Sequence, residues 1–204
     1  IEYFISSTFR DMQAERDALH NYVLPEIKRY ANERGEDIGF IDLRWGINAD
    51  NKNSDENMAK VLSVCLQDID RCRPRMIILL GDRYGSIPSV ETLHNFIIRS
   101  TDGIYSETDL QNKSVTEIEI THGVFRQQDI CDNVTICIRE PLDYPNLPQA
   151  AQDIYGSQTK ADKEKLQKLK NALISAYPDN VLFYSVSWDE VNQCICGLDS
   201  FVEQ

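Results

Sequence analysis

No apolar run in the chain approaches the roughly 20 residues that a membrane-crossing helix needs, and no secretory signal opens it. Basic residues are scarce: 21 Lys and Arg stand against 33 Asp and Glu, a formal net charge of −12. That balance excludes the basic footprint a nucleic-acid backbone requires and disfavours an anionic membrane surface, so neither is expected as a partner. The three histidines, His20, His94 and His122, have no chelating spacing, and no G-x-S-x-G elbow occurs, which removes metal-hydrolase and serine-hydrolase readings. A G-x-x-x-x-G-K-[ST] phosphate loop and a G-x-G-x-x-G dinucleotide fingerprint are both missing. Six cysteines (Cys65, Cys72, Cys131, Cys137, Cys194 and Cys196) include no C-x-x-C pair, and at least three lie in apolar patterns. Buried, reduced thiols and a cytoplasmic location are the expectation. Cys194-Ile195-Cys196 suits a soft metal, but with no matching second pair zinc is disfavoured and no metal site is assigned.

What the chain does have is 204 residues, 42% apolar and 26% charged, enough for one domain with a substantial core. It opens on Ile1 inside a strand-like run and stops at SFVEQ without a helix-ending signal, which reads as a domain excised from a larger multidomain protein. Short apolar runs alternate with helical patterns, the signature of an α/β fold with a mostly parallel sheet. Tyr3-Phe4-Ile5, the run from Gly39 to Trp45, Met76 to Leu80, Val134 to Ile138 and Val181 to Val186 are the expected strands. Helices are expected from about Asp11, with a kink or restart at Pro25, over Met58 to Cys72, from Ser114, from Lys163 to Tyr177, and near Trp188-Asp189-Glu190. Residues 87–113 form a long connection, lid-like in length, with a short helix around Thr92 to Ile98. Five strands joined this way predict a doubly wound, flavodoxin-like sheet of order 2-1-3-4-5, as a single domain over residues 1–204.

Ligands of such sheets bind outside the carboxyl ends of the strands, where strand order reverses, here between the first and third. The residues gathered there include Ser6, Ser7, Thr8 and Arg10, then Asp42, Arg44 and Trp45, then Asp82, Arg83 and Tyr84, and the start of the helix at Ser114. Ser6, Ser7 and Thr8 suit a phosphate or the capping of the first helix equally well. Arg44 suits a phosphate or carboxylate clamp, or a salt bridge to Asp42. Trp45 suits stacking on a ring, or packing of a loop. Ser114-Val115-Thr116-Glu117 has the pattern of a capping box, which accounts for Glu117. Glu119 is left without a local duty and, beside a helix start at the ligand edge, is the catalytic candidate.

FISSTFRDMQAERDAL, IDLRWGI, ILLGDRYG and SVTEIEI, in that order, resemble a TIR-like family of domains of unknown function. That family stands in front of NACHT or other STAND-type NTPase modules, in nephrocystin-like and telomerase-associated proteins and in bacterial ones. The likeness covers residues 1 to about 125. It implies a TIR-like fold, self-association, and downstream NTPase and sensor domains in the same chain. It also implies an effector or signalling role in a STAND or NLR-like defence protein. Its wider relatives, TIR domains and nucleoside deoxyribosyltransferases, cleave N-glycosidic bonds with a glutamate at this helix start. The T-x-x-E-I pattern places that glutamate at Glu119, with Thr116 at the head of the motif. Unlike typical TIR domains, the chain lacks a Trp-Cys pair ahead of the glutamate and carries the long insertion. The resemblance implies hydrolysis of NAD or a related nucleotide, activated by oligomerisation, with NAD as substrate and no cofactor. Ser6, Ser7, Arg10, Arg44, Trp45, Asp82, Arg83, Tyr84 and Thr116 are the substrate-binding candidates, arginines holding the pyrophosphate. The alternative is a non-enzymatic homotypic interaction module.

Overall fold

Met76–Leu80 is buried along its whole length, as a strand covered on both faces must be. It is β3, the centre of a parallel five-stranded sheet of order β2-β1-β3-β4-β5. β1 spans Glu2–Ser7, β2 Gly39–Ile41, β4 Val134–Arg139 and β5 Val181–Tyr184. The computed structural model describes residues 1–43, 55–99, 104–127, 133–156 and 159–203. Arg44, Trp45 and Cys131 lie outside the described residues.

Successive strand residues point to opposite faces, and the two faces have separate cores. Phe4, Ile78, Leu80, Ile136 and Ile138 pack with the helices α3 (Asp55–Cys72), α4 (Val90–Arg99), α6 (Val115–Ile120) and α8 (Lys160–Ala176). Ile5, Ile77, Leu79 and Cys137 pack on the other face against Met12, Ala18 and Leu19, and against Phe201 of the terminal helix α9 (Asp199–Glu203).

The expected restart at Pro25 occurs. Helix α1 (Gln13–Ala18) widens into a π turn at Leu19–Val23, and α2 (Leu24–Asn32) begins with the proline in its first turn. Pro25 has no N–H for the carbonyl four residues back, so the ladder shifts there. The connection over residues 87–113 carries α4 and a short α5 (Glu107–Leu110), and Leu93, Phe96, Tyr105 and Leu110 belong to the main core. A further helix, α7 (Gln149–Tyr155), follows the prolines after β4.

The chain end differs from the sequence expectation. Instead of a helix near Trp188, Ser187–Asp189 forms β6, paired antiparallel with β7 (Cys194–Cys196). The acidic pair Asp189-Glu190 resembles a helix start, but Asp189 Oδ1 accepts from the backbone N–H groups of Val191 and Asn192 at 2.8 and 3.0 Å, closing a turn.

Candidate active site at the end of the first strand

Two consecutive serines end β1, and the pleat sends them to opposite faces. Ser6 shares the face of Phe4, and its hydroxyl donates to Glu119 Oε2 at 2.6 Å. Glu119 comes from α6, whose start is set by Ser114: its Oγ accepts the Glu117 N–H at 3.2 Å. Each helical residue turns about 100°, so Glu119 lies some 200° round from Glu117 and faces inward while Glu117 does not. Glu119 is only 6% exposed. Burial raises its pKa; the hydrogen bonds from Ser6 and from the Cys65 thiol of α3, and the charge of Arg16, oppose the rise. Burial, joined by the same carboxylate, pushes the Cys65 thiol up, which keeps it a neutral donor.

The second half of the capping box expected of Glu117 is replaced by a tertiary contact. The Tyr84 hydroxyl donates to Glu117 Oε2, and desolvation together with this carboxylate raises the tyrosine's pKa. Tyr84 follows β3 and is buried, so the third-strand loop is locked to the start of α6. Gly85 completes the lock. Its φ of +96° suits glycine, and a Cβ there would lie 3.1 Å from Thr8 Cγ2 and 3.4 Å from Thr116 Oγ1. Thr8, Gly85 and Thr116 therefore meet, as the topology predicts for one sheet edge.

Ser7 faces the other way. Its Oγ accepts from Arg16 Nε at 2.8 Å and donates to the Thr8 carbonyl at 3.0 Å. Arg16 is buried on α1, pairs with Asp42 beyond β2, and lies over the Phe9 ring at 4.9 Å. His20 Nε2 is 3.2 Å from the same aspartate. Neither Ser6, Ser7 nor Thr8 caps α1: its N-cap is Met12, without a side-chain cap, and the Thr8 hydroxyl donates to Asp11.

A second buried charge cluster braces this loop from β4. Arg139 donates to Glu15 Oε1 at 2.6 Å and to the Asp11 carbonyl at 3.0 Å, and the Tyr184 hydroxyl donates to Glu15 at 3.1 Å. Burial pushes the Asp11 carboxyl up to about 6, against the hydrogen bond from Thr8 and the charge of Arg139.

The remaining sequence candidates go elsewhere. Asp82 accepts the Tyr144 hydroxyl at 2.8 Å. Arg83 Nη1 donates to the carbonyls of Asp153, Ile154 and Gly156 at 2.9, 3.3 and 3.0 Å, ending α7 with a cation. Arg10 is exposed. The arginine whose charge reaches Glu119 is Arg16, which the sequence reading missed because it sits in a polar helical run with nothing to mark it as buried. Among the described residues no group of three His, Cys, Asp or Glu side chains is placed to hold a metal. No described helix is long and apolar enough to cross a membrane. Chemically, the site is one desolvated carboxylate held by two neutral donors, with a guanidinium acting across the strand.

Residues 3–194 match the family described as Domain of unknown function (DUF4062). A TPR repeat-containing protein of Dictyostelium discoideum is 30% identical over 183 residues, covering 86% of this chain and 11% of that protein. Telomerase protein component 1 of Mus musculus is 30% identical over 193 residues, covering 94% of this chain and 7% of that protein. NACHT domain- and WD repeat-containing protein 1 of Mus musculus is 33% identical over 82 residues, covering 38% of this chain and 5% of that protein. The chain thus spans 11% or less of the length of these three relatives. No solved structure matches.

Proposed function

The chain belongs to the DUF4062 family, and from that premise we propose that it is a TIR-like effector or signalling domain that cleaves an N-glycosidic bond in NAD or a related nucleotide. The observation that carries the reading is Glu119, buried beneath the carboxyl end of β1 and bonded there by Ser6. It lies beside the point where strand order reverses, between β1 and β3. A carboxylate kept purely for stability would be expected to pair with a cation; this one has hydroxyl and thiol donors and a raised pKa.

The chemistry suits a single carboxylate. The nicotinamide of NAD is a cationic ring that leaves the ribose with the bonding electron pair as a neutral molecule, so its departure needs no general acid. Glu119, ionised, would stabilise the oxocarbenium-like ribose or orient its hydroxyls, and water would complete the hydrolysis. Because the charged form acts, turnover falls as the pH drops through the raised pKa of Glu119. NACHT and WD-repeat relatives support placing the domain beside downstream NTPase and sensor modules, whose assembly would bring copies together in the cytoplasm. A second reading, a non-enzymatic homotypic interaction module, draws on Ile87, Val90, Ile98 and Ile104, which stand exposed on and around α4.

The test is NAD turnover by the full-length, assembled protein, beside Glu119→Gln and Glu117→Gln. Loss of about 100-fold or more in the first, on the scale of a removed electrostatic stabiliser, with retention in the second, is the expected result. Glu119→Gln should fold at least as well as the parent, since a neutral amide still accepts from Ser6 and avoids the buried charge. No turnover of NAD, NADP or nucleosides by a confirmed assembly would sink the enzymatic reading and leave the interaction module.

A further inference from the structure

The β6–β7 hairpin carries a feature that the Glu119 site does not use. Ile195 is buried with Leu142, Leu147 and Ala151, so the strand's pleat puts Cys194 and Cys196 together on the outer face. Both are exposed free thiols, whereas Cys65, Cys72 and Cys137 are buried. The hairpin is held in register by the pairs Ser187↔Cys196 and Asp189↔Cys194. Its turn is closed by Asp189 and by Gln193 at a φ of +53°, so the two thiols are displayed on a defined scaffold.

We propose that Cys194 and Cys196 form a two-thiolate site for a thiophilic closed-shell cation of the Cu(I) class. Three observations select that class. Alternate residues of a strand have Cα atoms roughly 6.6 Å apart, at the outer edge of the span a disulfide closes, so direct S–S closure is strained. A linear S–metal–S bridge separates its sulfurs by roughly 4.5 Å, judged from metal–thiolate bond lengths, and spans the same positions more easily. Among the described residues no third ligand is at hand. Asp189 lies across from Cys194, but its Oδ1 accepts from Val191 and Asn192 and its Oδ2 accepts from Asn192 Nδ2 at 2.7 Å. Tetrahedral zinc lacks partners among the described residues, while soft two-coordinate ions do not need them. Asp189 and the net charge of −12 add attraction for a cation without adding a bond. Binding forms two metal–sulfur bonds and releases two thiol protons to solvent; no electron changes hands.

The test is anaerobic titration of the chain with Cu(I) against a water-soluble Cu(I) chelator, with native mass spectrometry for stoichiometry. One equivalent per chain is expected, protecting both cysteines from iodoacetamide. Cys194→Ser and Cys196→Ser should each weaken binding at least tenfold while keeping the parent circular dichroism, because both side chains are exposed. A smaller loss in either variant overturns the proposal. So does an equivalent that survives both changes and disappears in Cys131→Ser.

Discussion

Replacing Arg16 by methionine keeps much of the apolar stem and removes the guanidinium. The side chains of Arg16 and Asp42 are each 1% exposed, so the pair is cut off from water. Removing one partner of a buried pair costs about 3–5 kcal/mol, most of it from the charge left behind. That figure already contains the bonds from Arg16 to the hydroxyl and carbonyl of Ser7. With a urea slope of about 2 kcal/mol per molar, the unfolding midpoint should fall by about 2 M. Urea titration by far-ultraviolet circular dichroism at pH 7.5 measures it. Arg16→Met/Asp42→Leu should recover a large part of the loss, because both charges then leave together. A second readout belongs to the site alone. The charge of Arg16 opposes the rise in the Glu119 pKa, so the variant should titrate Glu119 at a still higher pH, visible in its side-chain carboxyl carbon by NMR. A midpoint shift under about 0.5 M would refute the buried-pair reasoning. An unmoved Glu119 titration would refute the coupling across the strand.

Asp11, raised by burial from 3.8 to about 6, makes stability depend on pH in a definite direction. A raised acid contributes its stability in full below the unfolded pKa and loses it as pH climbs through the folded one. The parent should therefore lose up to about 3 kcal/mol between pH 4 and 7 through this group. Asp11→Asn should flatten that window in urea midpoints, and an unchanged slope would contradict the assignment. Gly81→Ala tests the packing of the same cluster: its Cβ would lie 2.4 Å from Met12 Cε, 2.6 Å from Arg139 Nη2 and 2.7 Å from Asp11 Oδ2. Overpacking of this kind costs about 1–3 kcal/mol, and a melting temperature equal to the parent's would show that the cluster gives way freely.

β3 was legible because a strand buried on both faces must be apolar throughout, and Met76 to Leu80 is. The parallel sheet followed from the alternation of elements, since parallel neighbours require helical crossovers, and its order matches the flavodoxin-like one expected. Ser114 was legible as a cap because that bond is local. The partner of Glu117 was not: it is a phenol 33 residues earlier in the chain, brought there by the loop after β3. Arg16, Glu15 and Arg139 were invisible for a related reason. Glu15 and Arg16 read as solvent-facing in a helical run and Arg139 as the polar end of a strand, and only the packed fold shows that these three meet buried partners. Near Trp188, short local bonds donated to Asp189 by the Val191 and Asn192 N–H groups outweighed the helix-like composition. Arg83 stood in a motif at the correct sheet edge, yet the end of α7 took its donors.

Position at the carboxyl edge does not by itself leave a side chain free, as the hydroxyls at and just after the end of β1 show. Ser6 donates to Glu119, Ser7 to the Thr8 carbonyl and Thr8 to Asp11, so all three protons are already placed inside the protein. A phosphate cradle would need those donors free. The loop instead works as a spacer between opposite charges: Glu119 on one face of the strand, Arg16 with Asp42 on the other. A guanidinium in direct contact would hold Glu119 strongly ionised and bind it as an ion pair. Set across the strand and already paired with Asp42, Arg16 offsets only part of the cost of burial, and the pKa of Glu119 stays raised. Among the described residues no cation bonds Glu119 directly, and on the proposed reading its ionised form would stabilise positive charge on a bound ribose. Of the two serines, Ser6 thus holds the carboxylate and Ser7 holds the guanidinium that acts on it from the other face.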